Sequence, residues 1–148
     1  MTAVLKVKPL SVFSHTRAEA AITSDAGLTY ICYAARSLDF KMCLGAEIVV
    51  YGERKRDSLG RLRNIVVRDN AGGKLAVICP RTFRSKLRFK GCSYALPRMF
   101  RPHIRELGFF FSGADRRVLE IHNPDHYDLG LALLGYLSAV DGFTVTDG

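Results

Sequence analysis

The sequence predicts a mainly β protein, with an antiparallel, barrel-like sheet around one buried C-terminal α-helix. Two observations carry this prediction. Almost everything before residue 122 consists of short apolar or alternating runs separated by turn-forming residues, which is typical of antiparallel strands. The run from Leu129 to Val140 has no charged side chain and is apolar on every side of a helical wheel, so a helix there must be enclosed by protein. If the shell of strands stays open, the class is α+β.

Length and composition set the broad limits. A chain of 148 residues is enough for one domain, residues 1–148, that buries a core without disulfide or metal support. Its 48% hydrophobic content and mean hydropathy of +0.06 argue against a disordered chain and against an integral membrane protein. We expect no transmembrane segment, because the apolar run is shorter than the roughly 20 residues that cross a bilayer. The N-terminus is a poor secretory signal, so we expect a cytoplasmic protein, with peripheral membrane association as a further option.

The strands are predicted from short runs of β-forming residues between turns. Small residues around Arg17 to Ile22 instead predict one short helix, followed by a turn at Ser24 to Gly27. Two hairpins share one pattern, in which an apolar run, a small or acidic turn and a second apolar run precede a proline. The predicted strands and hairpins are Leu28 to Ala35, Phe40 to Leu44, Glu47 to Tyr51, residues 65–78 around the turn Asp69 to Gly73, Phe83 to Lys90, and residues 107–121.

The C-terminal helix has predicted ends and two predicted points of close approach. Pro124 and Asp125 suit a helix start, with Asp125 or Asp128 near the positive end of the helix dipole. Asp141 and Gly142 suit its end. If strands enclose the helix, we expect them to approach it most closely at its two glycines, Gly130 and Gly135.

The charge points to an anionic partner. The chain has 22 Lys and Arg against 14 Asp and Glu, a formal charge of +8, and this favours nucleic acid or an anionic membrane surface. The segment from Phe83 to Lys90 alternates strictly, so a strand there turns Phe83 and Phe89 toward the core and its cations outward. Cations spaced by about 7 Å can span successive phosphates or lipid headgroups, although the same pattern also serves solubility or protects a sheet edge. The four cations are Arg84, Lys86, Arg88 and Lys90.

A second basic cluster lies in residues 53–63, which are expected to form a solvated loop or hairpin tip around a Ser-Leu-Gly turn. It strengthens the candidate site only if it adjoins the first cluster in space. Its cations are Arg54, Lys55, Arg56, Arg61 and Arg63.

No residue pattern points to catalysis, a cofactor or a metal, so we expect a protein that is not an enzyme. The four cysteines form no CxxC pair and are expected to be buried and reduced. His122 and His126 flank Pro124, which separates them from a common helix face. This segment is predicted to be a strand-to-helix connection with a capping Asp.

Residues 65–78, 83–90 and 131–141 together resemble the tubby C-terminal-like superfamily, and within it the LURP-one-related and phospholipid-scramblase-like members. The similarity is one of pattern and spans about residues 28 to 145. It implies a closed antiparallel barrel threaded by a hydrophobic C-terminal helix, and a module of the kind that binds phosphoinositide headgroups. Residues 97–106, with two prolines, depart from a plain strand meander, and the resemblance assigns no binding residue in this chain.

Three functions are consistent with these observations. The leading hypothesis is a basic binding module for anionic membrane lipid headgroups. The first alternative is a nucleic-acid-binding or ribonucleoprotein subunit, which rests on charge. The second is an interaction subunit of a larger assembly, with a protein partner docked on Phe109 to Phe111 or on the proline segment.

Overall fold

In the computed structural model, one antiparallel sheet wraps around the C-terminal helix. The structure describes residues 2–14, 17–35, 38–60, 62–80, 85–96, 104–112 and 117–141. The strands among them are β1 (Ala3–Ser14), β2 (Arg17–Ser24), β3 (Thr29–Ala35), β4 (Phe40–Leu44), β5 (Glu47–Arg56), β6 (Leu62–Asp69), β7 (Lys74–Cys79), β8 (Lys86–Phe89), β9 (Cys92–Ala95), β10 (Phe109–Phe111) and β11 (Val118–Ile121). Two 3-10 turns, Arg105–Leu107 and Pro124–His126, and the helix α1 (Tyr127–Asp141) complete the fold.

The sheet is a meander with one added hairpin. Each strand from β1 to β9 pairs antiparallel with the next, and the β10–β11 hairpin adds to the free side of β1. Within the part of the chain that the structure describes, the sheet is open, with β10 and β9 at its edges. The predicted class is confirmed in its α+β form, an open antiparallel sheet with one C-terminal helix.

From Leu129 to Ala139 the helix α1 is buried around its whole circumference, as its sequence predicts. Apolar side chains that would lie on different sides of an isolated helix, such as Leu131, Leu133 and Leu134, are all at most 3% exposed. Only at Val140, which is 44% exposed, does an apolar side chain of the helix return to solvent. A helix with this composition is stabilised by burying apolar surface on every side, and the curved sheet provides the surface that covers it.

The two helix glycines lie where the sheet comes closest, as expected. A Cβ at Gly130 would overlap the side chain of Ile121, and a Cβ at Gly135 would lie 2.8 Å from Cε2 of Phe40. The other side of the Phe40 ring is packed equally closely against β5, because a Cβ at Gly52 would lie 2.8 Å from Phe40 Cδ1. The Phe40 ring is therefore packed between two glycines, one on the helix and one on β5.

The connection into the helix differs in one detail from the prediction. The 3-10 turn begins at Pro124, and the capping residue is Asn123 rather than an Asp. Because Pro124 occupies the first helical position, the residue before it takes the extended conformation of a cap, and the Asn123 side chain accepts a hydrogen bond from the Asp125 backbone N–H at 3.1 Å. The predicted C-cap Gly142 lies outside the described residues.

The helix predicted over Arg17 to Ile22 is wrong. This segment belongs to β2, which pairs with β1 on one side and β3 on the other. Ala20 and Ile22 face the core, while Ala21 between them is only half-buried, which is the two-residue period of a strand. Pairing with two neighbours outweighs the small helical preference of the alanines.

β5 and β8 differ most in length from their predicted bounds. β5 continues past Tyr51 to Arg56, so three of the predicted loop cations belong to a strand. β8 covers only Lys86 to Phe89, and Lys90 lies in the following turn with a positive φ of 48°. The remaining predicted features with no described structure are Phe83, Arg84, Arg61 and the proline segment 97–103.

His126 lies where the two sides of the sheet approach each other. Its ring centroid is 5.2 Å from that of Phe89 on β8 and 6.4 Å from that of Phe109 on β10. Its Nδ1 is 3.1 Å from the carbonyl oxygen of Leu107. The sheet therefore curves so far around the helix that residues near its two edges contact the same imidazole.

Candidate functional site

The meander places its turns alternately at two ends of the sheet. The turns at 25–28, 45–46, 70–73 and 90–91 lie at the end where α1 begins, which we call the helix-start end. The turn at 57–60 and the first residues of β8 lie at the opposite end, which we call the basic end. Because successive turns alternate, side chains far apart in sequence come together at each end. The helix runs from the helix-start end to the basic end.

The helix-start end collects six of the acidic residues that the structure describes, while Asp39 and Asp57 lie in turns at the basic end. Burial raises the pKa of Asp128 above its ordinary value, and the negative charge of Asp69 adds to the shift. This end also carries some cations, so its charge is mixed with an acidic excess. Its acidic residues are Asp25, Glu47, Asp69, Glu106, Asp125 and Asp128, and its basic residues are Lys74, Lys90 and Arg105.

The basic end begins with the last residues of β5. Lys55 and Arg56 are exposed there. The Lys55 Nζ is 3.4 Å from Glu53 Oε1, and Arg56 donates from Nη1 to the carbonyl oxygen of Gly60 at 2.6 Å. A hydrogen bond to a carbonyl leaves the guanidinium charge in place, and an exposed ion pair is weak, so both cations remain available to an anion.

Arg54 differs from its two neighbours on β5. Val50 and Gly52 face the core, and Arg54 follows them on the same side of β5. The Arg54 Nε is 3.3 Å from Asp39 Oδ2. Its backbone N–H also donates to Asp39 Oδ1 at 3.1 Å. Asp39 therefore pairs with both the side chain and the backbone of Arg54, while both side chains remain more than a third exposed.

The β8 cations divide between two places. Lys86 and Arg88 are exposed, while Ser85, Leu87 and Phe89 are buried, so the predicted alternation is confirmed over this stretch. Lys90 lies in the turn that follows, and its Nζ is 5.2 Å from the centroid of the Phe89 ring. Arg84 lies outside the described residues. Within the described residues, β8 thus presents two outward cations, Lys86 and Arg88.

The two basic clusters lie on the same face of the sheet. Glu53 on β5 and Arg88 on β8 belong to one cross-strand row, through Val66 and Val77 on the strands between them. Lys55 and Lys86 each lie two residues further toward the basic end, so they belong to one neighbouring cross-strand row. Three strand spacings separate them in that row, which is about 14 Å at the usual distance between strands. This brings Lys55, Arg56 and Lys86 to one end of the molecule. Arg61 has no described position, and for Arg63 only the backbone is described, in β6.

Sequence reasoning missed a second outward row on the same face. Tyr33, Lys41, Tyr51 and Arg68 are successive cross-strand partners on β3 to β6. Lys41 is exposed between two aromatic rings, whereas Arg68 is held by Glu53 at 3.1 Å and by the carbonyl oxygen of Gly72 at 3.0 Å. The alternation of Phe40 and Met42 with Lys41 was the signal that places this lysine outward.

The two histidines that the structure describes occupy separate environments. His122 is exposed, its Nε2 is 3.4 Å from Glu120 Oε2, and its ring lies 4.6 Å from that of Phe110. His126 instead packs between Phe89 and Phe109. Within the described ranges, no group of three or more His, Cys, Asp or Glu side chains is placed to hold a metal ion.

The prediction that all four cysteines are buried is wrong for two of them. Cys32 and Cys79 are buried, Cys43 is half-buried and Cys92 is exposed, and all four are free thiols. Burial raises the pKa of Cys32 to about 12, against a smaller opposite effect of its hydrogen bond with Ser138. Cys92 is exposed because it follows the turn into the edge strand β9.

Phe109 and Phe111 are core residues, each at most 3% exposed, and Phe110 is half-buried against His122. Two of the three rings that were predicted to dock a protein partner therefore stabilise the fold instead. Within the described residues, no helix has both the length and the apolarity needed to span a bilayer.

Comparisons with known proteins return no match from protein-family models, from curated proteins or from solved structures. The similarity to the tubby C-terminal-like superfamily therefore remains a resemblance of sequence pattern.

Proposed function

We propose that the protein is a binding module for anionic membrane lipid headgroups and that it contacts them with its basic end. The observation that carries this proposal is the placement of Lys55, Arg56 and Lys86 at one end of the sheet, exposed and opposite the end that holds Asp25, Glu47 and Asp69. The resemblance to a superfamily with lipid-binding members supports the same choice of ligand.

The arrangement of charge suits a flat anionic surface. The acidic excess at the helix-start end repels such a surface, so the molecule approaches it with the basic end first. Each Lys or Arg near an anionic membrane contributes about 1 kcal/mol of attraction. Three such residues therefore account for an affinity difference on the order of 100-fold, which weakens as salt screens the charges.

Sedimentation with vesicles tests this proposal. The wild-type protein is expected to pellet with phosphatidylcholine vesicles that contain phosphatidylserine and to stay in solution with phosphatidylcholine alone. The triple variant Lys55→Glu, Arg56→Glu, Lys86→Glu is expected to lose about 100-fold in affinity.

The matched control reverses three exposed cations at the other end, Lys74→Glu, Lys90→Glu and Arg105→Glu. It has the same net charge as the first variant, so only the position of the change differs. Retained binding in the control supports the basic end as the contact surface. Equal loss in both variants would show that net charge alone drives binding, and absence of wild-type sedimentation would remove the lipid proposal.

A second candidate function, binding of single-stranded nucleic acid, is favoured by the outward row on β3 to β5. Tyr33 is 45% exposed, and it and Tyr51 flank Lys41. Aromatic rings on either side of a cation provide stacking platforms for bases beside a contact for a phosphate. Titration with a single-stranded oligonucleotide tests this function. Tyr33→Ala is expected to weaken binding about tenfold if bases stack on this ring. If the wild-type protein binds no oligonucleotide at low salt, this function is excluded.

A further inference from the structure

Leu59 is the most exposed large apolar side chain among the residues that the structure describes. It is 73% exposed, compared with 48% for Leu10 and 42% for Leu28. It lies at the tip of the β5–β6 hairpin, at the basic end. A single exposed leucine is common on protein surfaces, so its meaning depends on how it is held and on what surrounds it.

The hairpin tip is an ordered turn rather than a frayed one. Asp57 accepts the Leu59 backbone N–H on Oδ1 at 2.9 Å, and its carbonyl oxygen accepts the Gly60 N–H at 3.0 Å. Gly60 has the positive φ of 78° that such a turn needs, and Arg56 bonds its carbonyl oxygen. These bonds hold the backbone on both sides of Leu59, so the leucine side chain projects outward from a fixed support.

Two exposed cations, Lys55 and Arg56, precede the turn that carries the leucine, and Asp57 lies between them and Leu59. An apolar tip beside cations matches the layers of a membrane interface, because the cations reach the phosphates while the apolar group enters the boundary of the acyl chains. A polyanion such as nucleic acid offers no comparable apolar layer beneath its phosphates.

We propose that Leu59 inserts into the acyl-chain boundary of an anionic membrane while Lys55 and Arg56 contact the lipid phosphates. This inference rests on the proposed lipid-binding function and extends it, since it specifies a penetrating residue and the orientation of the bound protein. The helix α1 then points its C-terminal end toward the bilayer, because it ends at the same side of the sheet.

A tryptophan scan tests the insertion directly. The natural chain has no tryptophan, so Leu59→Trp provides a single fluorescent reporter at the hairpin tip. Its emission is expected to shift to shorter wavelength on vesicles that contain phosphatidylserine and to be quenched by lipids brominated on their acyl chains. Leu28→Trp is the matched control, because Leu28 is an exposed leucine in a turn at the helix-start end, and its emission is expected to stay unchanged.

Removal of the apolar group gives an independent measurement. Leu59→Ser is expected to weaken vesicle binding about tenfold, while Leu28→Ser leaves it unchanged. If the wild-type protein binds anionic vesicles but Leu59→Trp shows neither shift nor quenching, the insertion is wrong and the lipid-binding proposal stands. If both tryptophan variants shift, the orientation is wrong. If the wild-type protein does not bind the vesicles, both proposals fall together.

Discussion

The two ends of the sheet differ in how they use their side chains. At the helix-start end, side chains tie the helix to the sheet: His126 packs between Phe89 and Phe109, and the Tyr127 and Tyr30 hydroxyls lie 3.0 Å apart. At the basic end, Lys55, Arg56, Lys86 and Leu59 are directed to solvent. One end thus completes the core, and the other presents charge and one apolar tip.

This difference follows from the connectivity of a meander. Successive turns alternate between the two ends, so two basic segments separated by β6 and β7 reach the same end, while Asp25 and Asp69, at the turns 25–28 and 70–73, reach the other. A net charge of +8 says nothing about this separation. The comparison predicts that substitutions in the core and at the helix-start end act on stability, and that those at the basic end act on binding.

The largest effect is expected between the two ends, at Gly135. Gly135→Leu forces a side chain into the ring of Phe40, which Gly52 confines from its other side, so the free energy of unfolding should fall by about 3 kcal/mol. Chemical denaturation followed by circular dichroism measures it. Val140→Leu, at the exposed position of the same helix, should change stability by less than about 0.5 kcal/mol. Wild-type stability of Gly135→Leu would show that the sheet does not enclose the helix this tightly.

A smaller effect is expected at His126, which joins the two sides of the sheet at the helix-start end. His126→Ala removes two ring contacts and the bond to the Leu107 carbonyl oxygen, and should cost about 2 kcal/mol. His126→Phe keeps a ring and should cost about 1 kcal/mol. The exposed His122 provides the control, since His122→Ala should cost less than about 0.5 kcal/mol. Equal costs for the two alanine variants would contradict the packing role of His126.

The smallest effect is a pH dependence at Cys32, inside the sheet. Burial raises the pKa of this thiol from its ordinary value of 9.0 to about 12, so above pH 9 the unfolded chain releases a proton that the folded protein keeps. Stability therefore falls as pH rises. From pH 8 to pH 10 the wild-type protein should lose about 1 kcal/mol more than Cys32→Ala, measured by denaturant titration at each pH.

The comparison with Cys32→Ala cancels the titration of tyrosines and lysines, which both proteins share. A difference in stability that stays constant with pH would mean that solvent reaches Cys32 in the folded protein.

Local sequence patterns predicted most of the fold. The apolar run from Leu129 to Val140 predicted a buried helix, and the alternating segments predicted the strands around the hairpin turn at residues 70–73. The segment Arg17 to Ile22 was misassigned as helix because alanine favours helices in isolation, and pairing with both β1 and β3 is a long-range effect that propensity does not include. The capping residue was misassigned for a local reason, since the cap precedes the proline.

The candidate site was predictable in part. Alternation along β8 correctly placed Lys86 and Arg88 outward. It did not show that Arg54 pairs with Asp39, because that contact joins residues 15 apart through the register of β4 and β5. Nor did it single out Leu59, whose exposure depends on the turn that Asp57 holds.

The sequence by itself determined the fold class and the sign of the total charge. An uncharged run that is apolar all round can only be buried, and 22 basic residues against 14 acidic ones fix the excess. Only the tertiary structure decided where the charges go. Distance along the chain does not determine distance in space, and the order and register of paired strands set which turns share an end. The helix specifies what the sheet must enclose, and the sheet places Asp25, Glu47 and Asp69 at the end opposite Lys55, Arg56 and Lys86.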